Sequence, residues 1–205
     1  ATGKSAVWHS NRRKAEDPVT KPKAKAKNPV RRKKAAAMPG FIAPQLATLE
    51  DSAPGGAGWV HEIKLDGYRV QIHVTDGAAI AYTRKGLDWS GHFPEIVAAA
   101  AELPDCILDG EVVALNEGGQ SDFSALQASL ERNTTNRLIY FAFDLLYVDG
   151  RDYRDETLEM RKAALKELLG DRQSGRIRYT EHLTGDGETI RRSACDMELE
   201  GIVSK

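Results

Sequence analysis

The segment at residues 59–75, WVHEIKLDGYRVQIHVT, constrains the fold of this chain more than any other feature. Apolar and polar residues alternate along it as in a half-buried strand, and the apolar positions shift by one residue after Gly67. A glycine at such a change of register predicts a bulge or a sharp turn. The dipeptide Asp76-Gly77 then predicts a hairpin turn into a further strand over residues 78–84.

The rest of the chain from residue 41 alternates between helix and strand patterns. The segment at residues 138–148, LIYFAFDLLYV, is apolar on both faces and predicts a central strand. Other predicted elements are helices over 93–103, 158–169 and 188–198, a short helix capped by Asp122, and strands over 106–115 and 201–205. This order predicts a mixed α+β fold with antiparallel hairpins and with helices on the outside.

Charge divides the chain into two segments. Residues 1–40 carry twelve Lys and Arg against two acidic residues, whereas residues 41–205 carry seventeen against twenty-eight. The stretch at residues 21–34, KPKAKAKNPVRRKK, has too few large apolar residues to form a core. We therefore predict that residues 1–40 are a basic, disordered interdomain linker in front of a folded domain at 41–205. Such a linker could attract a polyanion by counterion release, or it could be a plain tether.

Composition also bounds the compartment. The sequence contains no run of 18 or more apolar residues, and no apolar segment follows the basic residues near its start. It predicts neither a membrane span nor a signal peptide, and it places the chain in the cytoplasm. Cys106 and Cys195 lie far apart without Cys-x-x-Cys spacing, which favours a reducing compartment over a disulfide scaffold or a zinc site.

The motif EIKLDGYR at residues 62–69 is the strongest candidate for chemistry. It places Lys64 and Asp66 on one strand face, followed by a glycine and Arg69. Taken alone, a lysine and an aspartate at this spacing would be better interpreted as an exposed strand pair. Four further motifs follow in order: TRKG with Arg84, LDGE with Asp109 and Glu111, FAFDLLYVDG with Phe143, and EGIVSK with Glu200 and Lys205.

Together these motifs resemble those of the covalent nucleotidyltransferases, which are ATP-dependent DNA ligases, RNA ligases and mRNA capping enzymes. The FAFDLLYVDG form is most similar to DNA ligases, in particular to the ligase domain of bacterial end-joining ligase D. The resemblance covers residues 41–205 and implies an α+β, ATP-grasp-like adenylation domain of antiparallel sheets flanked by helices. Because that family continues with a Lys-x-Lys strand and an OB-fold domain, it also implies that these residues stop before the last motif and are impaired alone.

The resemblance implies a role for each motif residue. Lys64 would receive AMP from ATP and pass it to a DNA 5′-phosphate, after which a 3′-hydroxyl displaces AMP; Asp66 is the second catalytic residue. The lysine amine must lose its proton before it attacks. Arg69 and a divalent cation would favour that loss, while Asp66 and Glu62 would oppose it. We hypothesise that the cations outweigh the carboxylates only when ATP and metal are bound.

The same resemblance assigns the nucleotide-binding residues. Arg69 and Arg84 suit phosphate and ribose, because guanidinium groups offer forked donors. Glu111 and Glu200 would hold the ribose hydroxyl and Mg²⁺ or Mn²⁺, since hard cations prefer oxygen ligands. Phe143 would stack on adenine. Hydrogen bonds near Glu62 would select that base. The full set is Glu62, Lys64, Arg69, Arg84, Glu111, Phe143, Glu200 and Lys205, with main-chain groups around residue 63.

The implied partners are ATP, a divalent cation, and DNA with nicks or double-strand ends, with no membrane. Phosphoesterase and primase-polymerase modules in the same polypeptide are further implied, as is a location in the bacterial cytoplasm at the nucleoid. Two alternatives stay open. One is an RNA ligase or capping-type enzyme, which would use GTP or prefer RNA. The other is a non-catalytic nucleic-acid-binding module that relies on the basic residues of 1–40.

Overall fold

The computed structural model describes residues 36–56, 58–170 and 175–205. The predicted linker at residues 1–40 lies almost wholly outside these ranges and stays a prediction; its last five residues form neither helix nor strand. Within the described ranges, every helix is too short or too polar to cross a membrane.

Nine strands and four helices make up the described part of the chain. The strands are β1 (Val60–Ile63), β2 (Tyr68–Thr75), β3 (Ala78–Thr83), β4 (Cys106–Val113), β5 (Ile139–Val148), β6 (Arg151–Asp152), β7 (Ile177–Tyr179), β8 (Leu183–Thr184) and β9 (Ile202–Ser204). The helices are α1 (Pro94–Ala100), α2 (Phe123–Glu131), α3 (Leu158–Leu169) and α4 (Gly187–Asp196).

The strands form two sheets. The larger has the order β3-β2-β4-β5-β6 with β7 added beside β5, and the smaller has the order β8-β1-β9. All pairs are antiparallel except β5 with β7, which is parallel. Helix α3 packs on β5 and β7, and α1 packs on β2 and β3. The predicted α+β class is therefore confirmed, and β7 is the one departure from antiparallel pairing among the described strands.

Gly67 separates strands of two different sheets. β1 ends at Ile63 and belongs to the smaller sheet, whereas β2 begins at residue 68 in the larger one. A Cβ atom at residue 67 would lie 2.2 Å from the carbonyl oxygen of Val112 in β4, so only glycine fits this close passage. The predicted change of register is confirmed, but it marks a transfer between sheets instead of a bulge within one strand. The first part of the alternating segment at 59–75 forms a strand only as far as Ile63.

Turn and cap residues act as the sequence predicts. Asp76 and Gly77 both have positive φ, 50° and 75°, and close the hairpin between β2 and β3. The side chain of Asp122 accepts a hydrogen bond from the backbone N–H of Ala125 at 2.9 Å and so caps α2. Gly170, with φ 58°, ends α3. These local signals fix where the chain reverses, and hence which strands are neighbours.

A segment without helix or strand, residues 36–56, is fixed on the larger sheet by a buried glutamine. The Gln71 side chain in β2 accepts from the N–H of Ile42 at 3.0 Å and donates to its carbonyl at 2.9 Å. His73 Nε2 lies 2.8 Å from Gln71 Oε1, and burial lowers the pKa of His73 to about 4. The neutral imidazole of His73 therefore donates to the side-chain oxygen of Gln71. The two hydrogen bonds between Gln71 and Ile42 set the path of the segment at residues 36–56.

Candidate active site

A cleft of about 720 Å³ is lined by residues from both sheets, a volume typical of small-molecule sites. It contains most of the residues that the motifs singled out: Glu62, Lys64, Arg69, Arg84, Glu111, Phe143 and Lys205. Of the described residues with a predicted role, Asp66 and Glu200 do not line it. The change of sheet at Gly67 explains the convergence, because it sends the two halves of one motif to opposite sheets around the same space.

Lys64 follows β1 at the open side of the cleft. Its backbone N–H donates to the carbonyl of Gly201 at 2.9 Å, which ties it to the chain just before β9. Its Nζ donates to a carboxylate oxygen of Glu200, and the two side chains are 45% and 41% exposed. An ion pair this exposed is weak and can exchange partners at little cost. Glu200, not Glu62 or Asp66, is therefore the carboxylate that holds the lysine ammonium.

Asp66 lies between the two sheets. Its backbone N–H donates to the Ser121 hydroxyl at 3.1 Å. Its carboxylate acts on the cleft through charge, since it contributes to the raised pKa of Glu111. Among the described residues it makes no contact with Lys64, and the catalytic role predicted for Asp66 stays a prediction.

Arg69 in β2 is held by a carboxylate that sequence analysis assigned no role. Its Nε and one terminal nitrogen donate to the two oxygens of Asp109 in β4, at 2.8 and 2.9 Å. Burial opposes the charge of Arg69, but the hydrogen bond and charge of Asp109 outweigh it, and its pKa is raised. The guanidinium carbon lies 4.5 Å from the centre of the Phe143 ring, within cation–π range. The fork that was predicted for phosphate thus already has a protein partner.

Glu111 in β4 is a carboxylate without a neutralising contact. No hydrogen bond or ion pair to its side chain occurs among the described residues. Burial is the main cause that raises its pKa to about 7, and the charges of Arg69 and Lys64 only partly offset this. Near neutral pH the group therefore binds a proton in a large share of molecules, and a cation placed beside it would replace that proton.

The predicted cation ligands are two carboxylates, Glu111 in the cleft lining and Glu200 outside it, and their role as ligands stays a prediction. The described residues contain no group of three or more His, Cys, Asp and Glu side chains arranged around one point. Two carboxylates, Glu111 and Glu200, would leave the other positions to water and phosphate oxygens. This is the usual arrangement for Mg²⁺, which seldom occupies a cage made of protein alone.

The far end of the cleft is built around Glu62 in β1. The residue is only 3% exposed, although it lies on the polar face of the strand pattern. One of its oxygens accepts from Lys205 Nζ at 2.6 Å and the other accepts from Lys162. Lys205 Nζ also lies 4.4 Å from the centre of the Phe143 ring, so the last residue of EGIVSK lies at this end of the cleft.

Sequence analysis missed several residues of the site. The clearest signal was for Lys162, which stands four residues after Leu158 and three before Leu165, on the apolar face of α3. Arg161 beside it donates to both oxygens of Asp144, at 2.8 and 3.1 Å. The missed residues that line the cleft include Gln45, Leu46, Ala47, Asp144, Arg161 and Thr180.

Comparison with known proteins identifies the family. A family model described as ATP dependent DNA ligase domain matches residues 43–205. Over 185 residues the chain is 40% identical to the multifunctional non-homologous end joining protein LigD of Pseudomonas aeruginosa, covering 88% of this chain and 22% of that protein. The protein of the same name in Mycolicibacterium smegmatis is 36% identical over 172 residues, covering 82% and 22%.

A solved structure described as mycobacterial DNA ligase D complexed with ATP and MES has the same fold. It matches with a TM-score of 0.68 and 30% identity, over 80% of this chain and 54% of that chain. The chain spans about a fifth of the length of the curated relatives it matches. Since the family model extends over most of the described residues, the chain belongs to the family of ATP-dependent DNA ligase domains.

Proposed function

We propose that this chain is the adenylation domain of a bacterial DNA ligase that acts in non-homologous end joining. The observation that carries the proposal is the convergence of Lys64, Arg69, Glu111 and Phe143 on one cleft, in a chain of the DNA ligase family. The names of its relatives supply the repair process. The parent polypeptide would act at the nucleoid in the cytoplasm, with phosphoesterase and primase-polymerase modules in the same chain.

Lys64 is the nucleophile in the proposed first step. Its Nζ forms a bond to the α-phosphorus of ATP, the bond from that phosphorus to the β-phosphate oxygen breaks, and pyrophosphate leaves. The amine first loses its proton, so the ion pair with Glu200 has to open. That pair is solvent-exposed, which supports its exchange when nucleotide enters.

The remaining residues bind the nucleotide and balance its charge. Phe143 would stack on adenine, Glu62 would accept from the base, and Arg84 and Lys205 would contact the ribose and phosphates. When bound, Mg²⁺ or Mn²⁺ would be held by Glu111 and Glu200 and would offset the charge that develops on the phosphate. Asp66 would modulate Glu111 through its charge, as its contribution to the pKa of that residue supports.

The later steps use DNA. The AMP group passes from Lys64 to a DNA 5′-phosphate, and a 3′-hydroxyl then displaces AMP to form the phosphodiester bond. For residues 1–40 we propose the role of a linker that adds electrostatic attraction to DNA. Deleting them should lower DNA affinity and flatten its dependence on salt, and an unchanged slope would leave a plain tether.

Labelled nucleotide tests the proposal directly. The full-length protein is incubated with α-labelled ATP or GTP and with Mg²⁺ or Mn²⁺, and covalent label is measured after denaturation. We expect label from ATP, none from GTP, and none in Lys64→Ala. Label from GTP would favour a capping-type enzyme, and absence of label from both nucleotides would exclude adenylation. Sealing of nicked DNA and of nicked RNA then separates DNA ligase from RNA ligase.

A further inference from the structure

Lys162 is a buried cation that has no role in the proposed catalytic steps. It lies on α3, 2% exposed, at a helical position where its neighbours Leu165 and Leu169 are buried apolar residues. Burial lowers its pKa, and the charge and hydrogen bond of Glu62 oppose that effect. A buried ammonium group is costly unless every one of its protons finds an acceptor. The partners of Lys162 therefore explain why a lysine stands there.

All three ammonium protons of Lys162 have acceptors, and each acceptor belongs to a different part of the cleft. The first is a carboxylate oxygen of Glu62 in β1. The second is the carbonyl of Phe143 in β5 at 3.3 Å, and the third is the carbonyl of Thr180, just after β7, at 3.1 Å. All three residues line the cleft, whereas Lys162 itself does not. The Lys162 side chain therefore connects β1, β5 and the residue after β7 from outside the lining of the cleft.

The contact also determines what Glu62 can offer to a ligand. With Lys162 donating to one oxygen and Lys205 to the other, both oxygens of the carboxylate act as hydrogen-bond acceptors. An acceptor at this point favours a purine that presents a 6-amino donor and disfavours one that presents a 6-oxo acceptor. A neutral carboxyl group would lose that distinction, because its O–H can donate to an oxo group.

We infer that Lys162 is a positioning residue that sets the preference of the cleft for 6-aminopurine over 6-oxopurine nucleotides, by holding the Glu62 carboxylate as a hydrogen-bond acceptor and by joining it to the main chain at Phe143 and Thr180. The inference rests on the proposed function, since it concerns the base of the same nucleotide. It assigns selectivity to a residue that never touches the ligand.

Equilibrium binding of ATP and of inosine triphosphate tests the inference. Both dissociation constants are measured on the full-length protein in metal-free buffer with EDTA, so that no adduct forms. In Lys162→Met we expect the ratio of the two constants to move toward unity by about tenfold, the effect of one hydrogen bond to a charged group. Lys166→Met is the matched control, because Lys166 lies one turn along α3 in an exposed pair with Glu181. It should leave the ratio unchanged.

A double variant covers the case in which Lys162→Met does not fold. In Glu62→Gln with Lys162→Met both charges are absent, which removes the cost of an unpaired buried group. Its ratio should equal that of Glu62→Gln alone within about threefold, because Lys162 acts through Glu62. A wild-type ratio in folded Lys162→Met, or a further independent loss in the double variant, would overturn the inference. Because binding is measured without turnover, a missing adduct would sink the proposed function while leaving this test intact.

Discussion

Two carboxylates in the same cleft have opposite surroundings. Glu62, on the smaller sheet, is bound on both oxygens by lysines. Glu111, on the larger sheet, has no such contact among the described residues, and burial raises its pKa to about 7. Both oxygens of Glu62 have partners without ligand, whereas the charge of an ionised Glu111 is only partly offset by Arg69 and Lys64.

The difference teaches how the cleft divides its work. A carboxylate that selects a base must keep one orientation, and the two lysines bound to Glu62 hold it in place. A carboxylate that receives a cation must stay open to it, and its poor solvation makes that cation more strongly bound. Under the proposed function, this contrast favours a role in base recognition for Glu62 and a role in charge balance during phosphoryl transfer for Glu111.

The largest expected effect comes from removing the Glu62 carboxylate. Glu62→Ala leaves Lys162 buried beside two carbonyls with no counter-charge. Removing one partner of a buried ion pair costs about 3–5 kcal/mol, and we expect that loss in the free energy of unfolding measured with urea. A loss below about 1 kcal/mol would show that the lysine finds another anion or leaves the interior.

Loss of the Glu111 charge should lower activity without lowering the free energy of unfolding. Glu111→Gln removes the charge that would bind a divalent cation, and we expect covalent labelling by ATP to slow about 100-fold. Chelation of metal should stop labelling in the unaltered protein. Glu117→Gln, an exposed residue of the following turn, is the matched control and should label normally. Full labelling of Glu111→Gln would remove this residue from the metal site.

The raised pKa of Glu111 also predicts a dependence of stability on pH. An unfolded glutamate titrates near 4.5 and the folded one near 7, so the folded state binds the proton more tightly. The contribution of protonated Glu111 to the free energy of unfolding is then fully present below pH 4.5, and it is lost as pH rises to about 7. The free energy of unfolding of Glu111→Gln should equal that of the unaltered protein at pH 4 and exceed it by about 2 kcal/mol at pH 8. This difference is smaller than the full pKa shift would give, because Glu111 is partly exposed. Equal stability at pH 8 would contradict the raised pKa.

The smallest effect is expected at an exposed pair on the same helix as Lys162. Lys166 and Glu181 are each 54% exposed and 3.1 Å apart. Lys166→Ala should change the free energy of unfolding by less than about 1 kcal/mol, measured under the same urea conditions. A loss as large as that of Glu62→Ala would mean that burial does not explain the contrast.

Local chemistry made much of this site predictable. The strand pattern, the turn at Asp76-Gly77 and the cap at Asp122 depend on neighbours in sequence, and all three are confirmed. Most of the motif residues line the cleft, although Asp66 and Glu200 do not. Gly67 was predicted to break the strand pattern. The transfer between sheets could not be foreseen, because apolar and polar residues alternate in the same way in a strand of either sheet.

Long-range partners were beyond prediction for a physical reason. Lys64 pairs with Glu200, 136 residues away, and Glu62 pairs with Lys162, 100 residues away. Many carboxylates and amines in this chain could make such pairs, and only the packed fold selects among them. The parallel strand β7 is likewise three residues long, and its place beside β5 depends on how α3 packs.

The central claim is that Lys64 becomes covalently attached to AMP. The full-length protein is incubated with ATP and Mg²⁺, digested, and the site of attachment is determined by tandem mass spectrometry under conditions that preserve the nitrogen–phosphorus bond. The account predicts one AMP group on the peptide that contains IKLDGYR, with fragment ions that locate it on Lys64. AMP on Lys205, Lys162 or any other lysine would contradict the account.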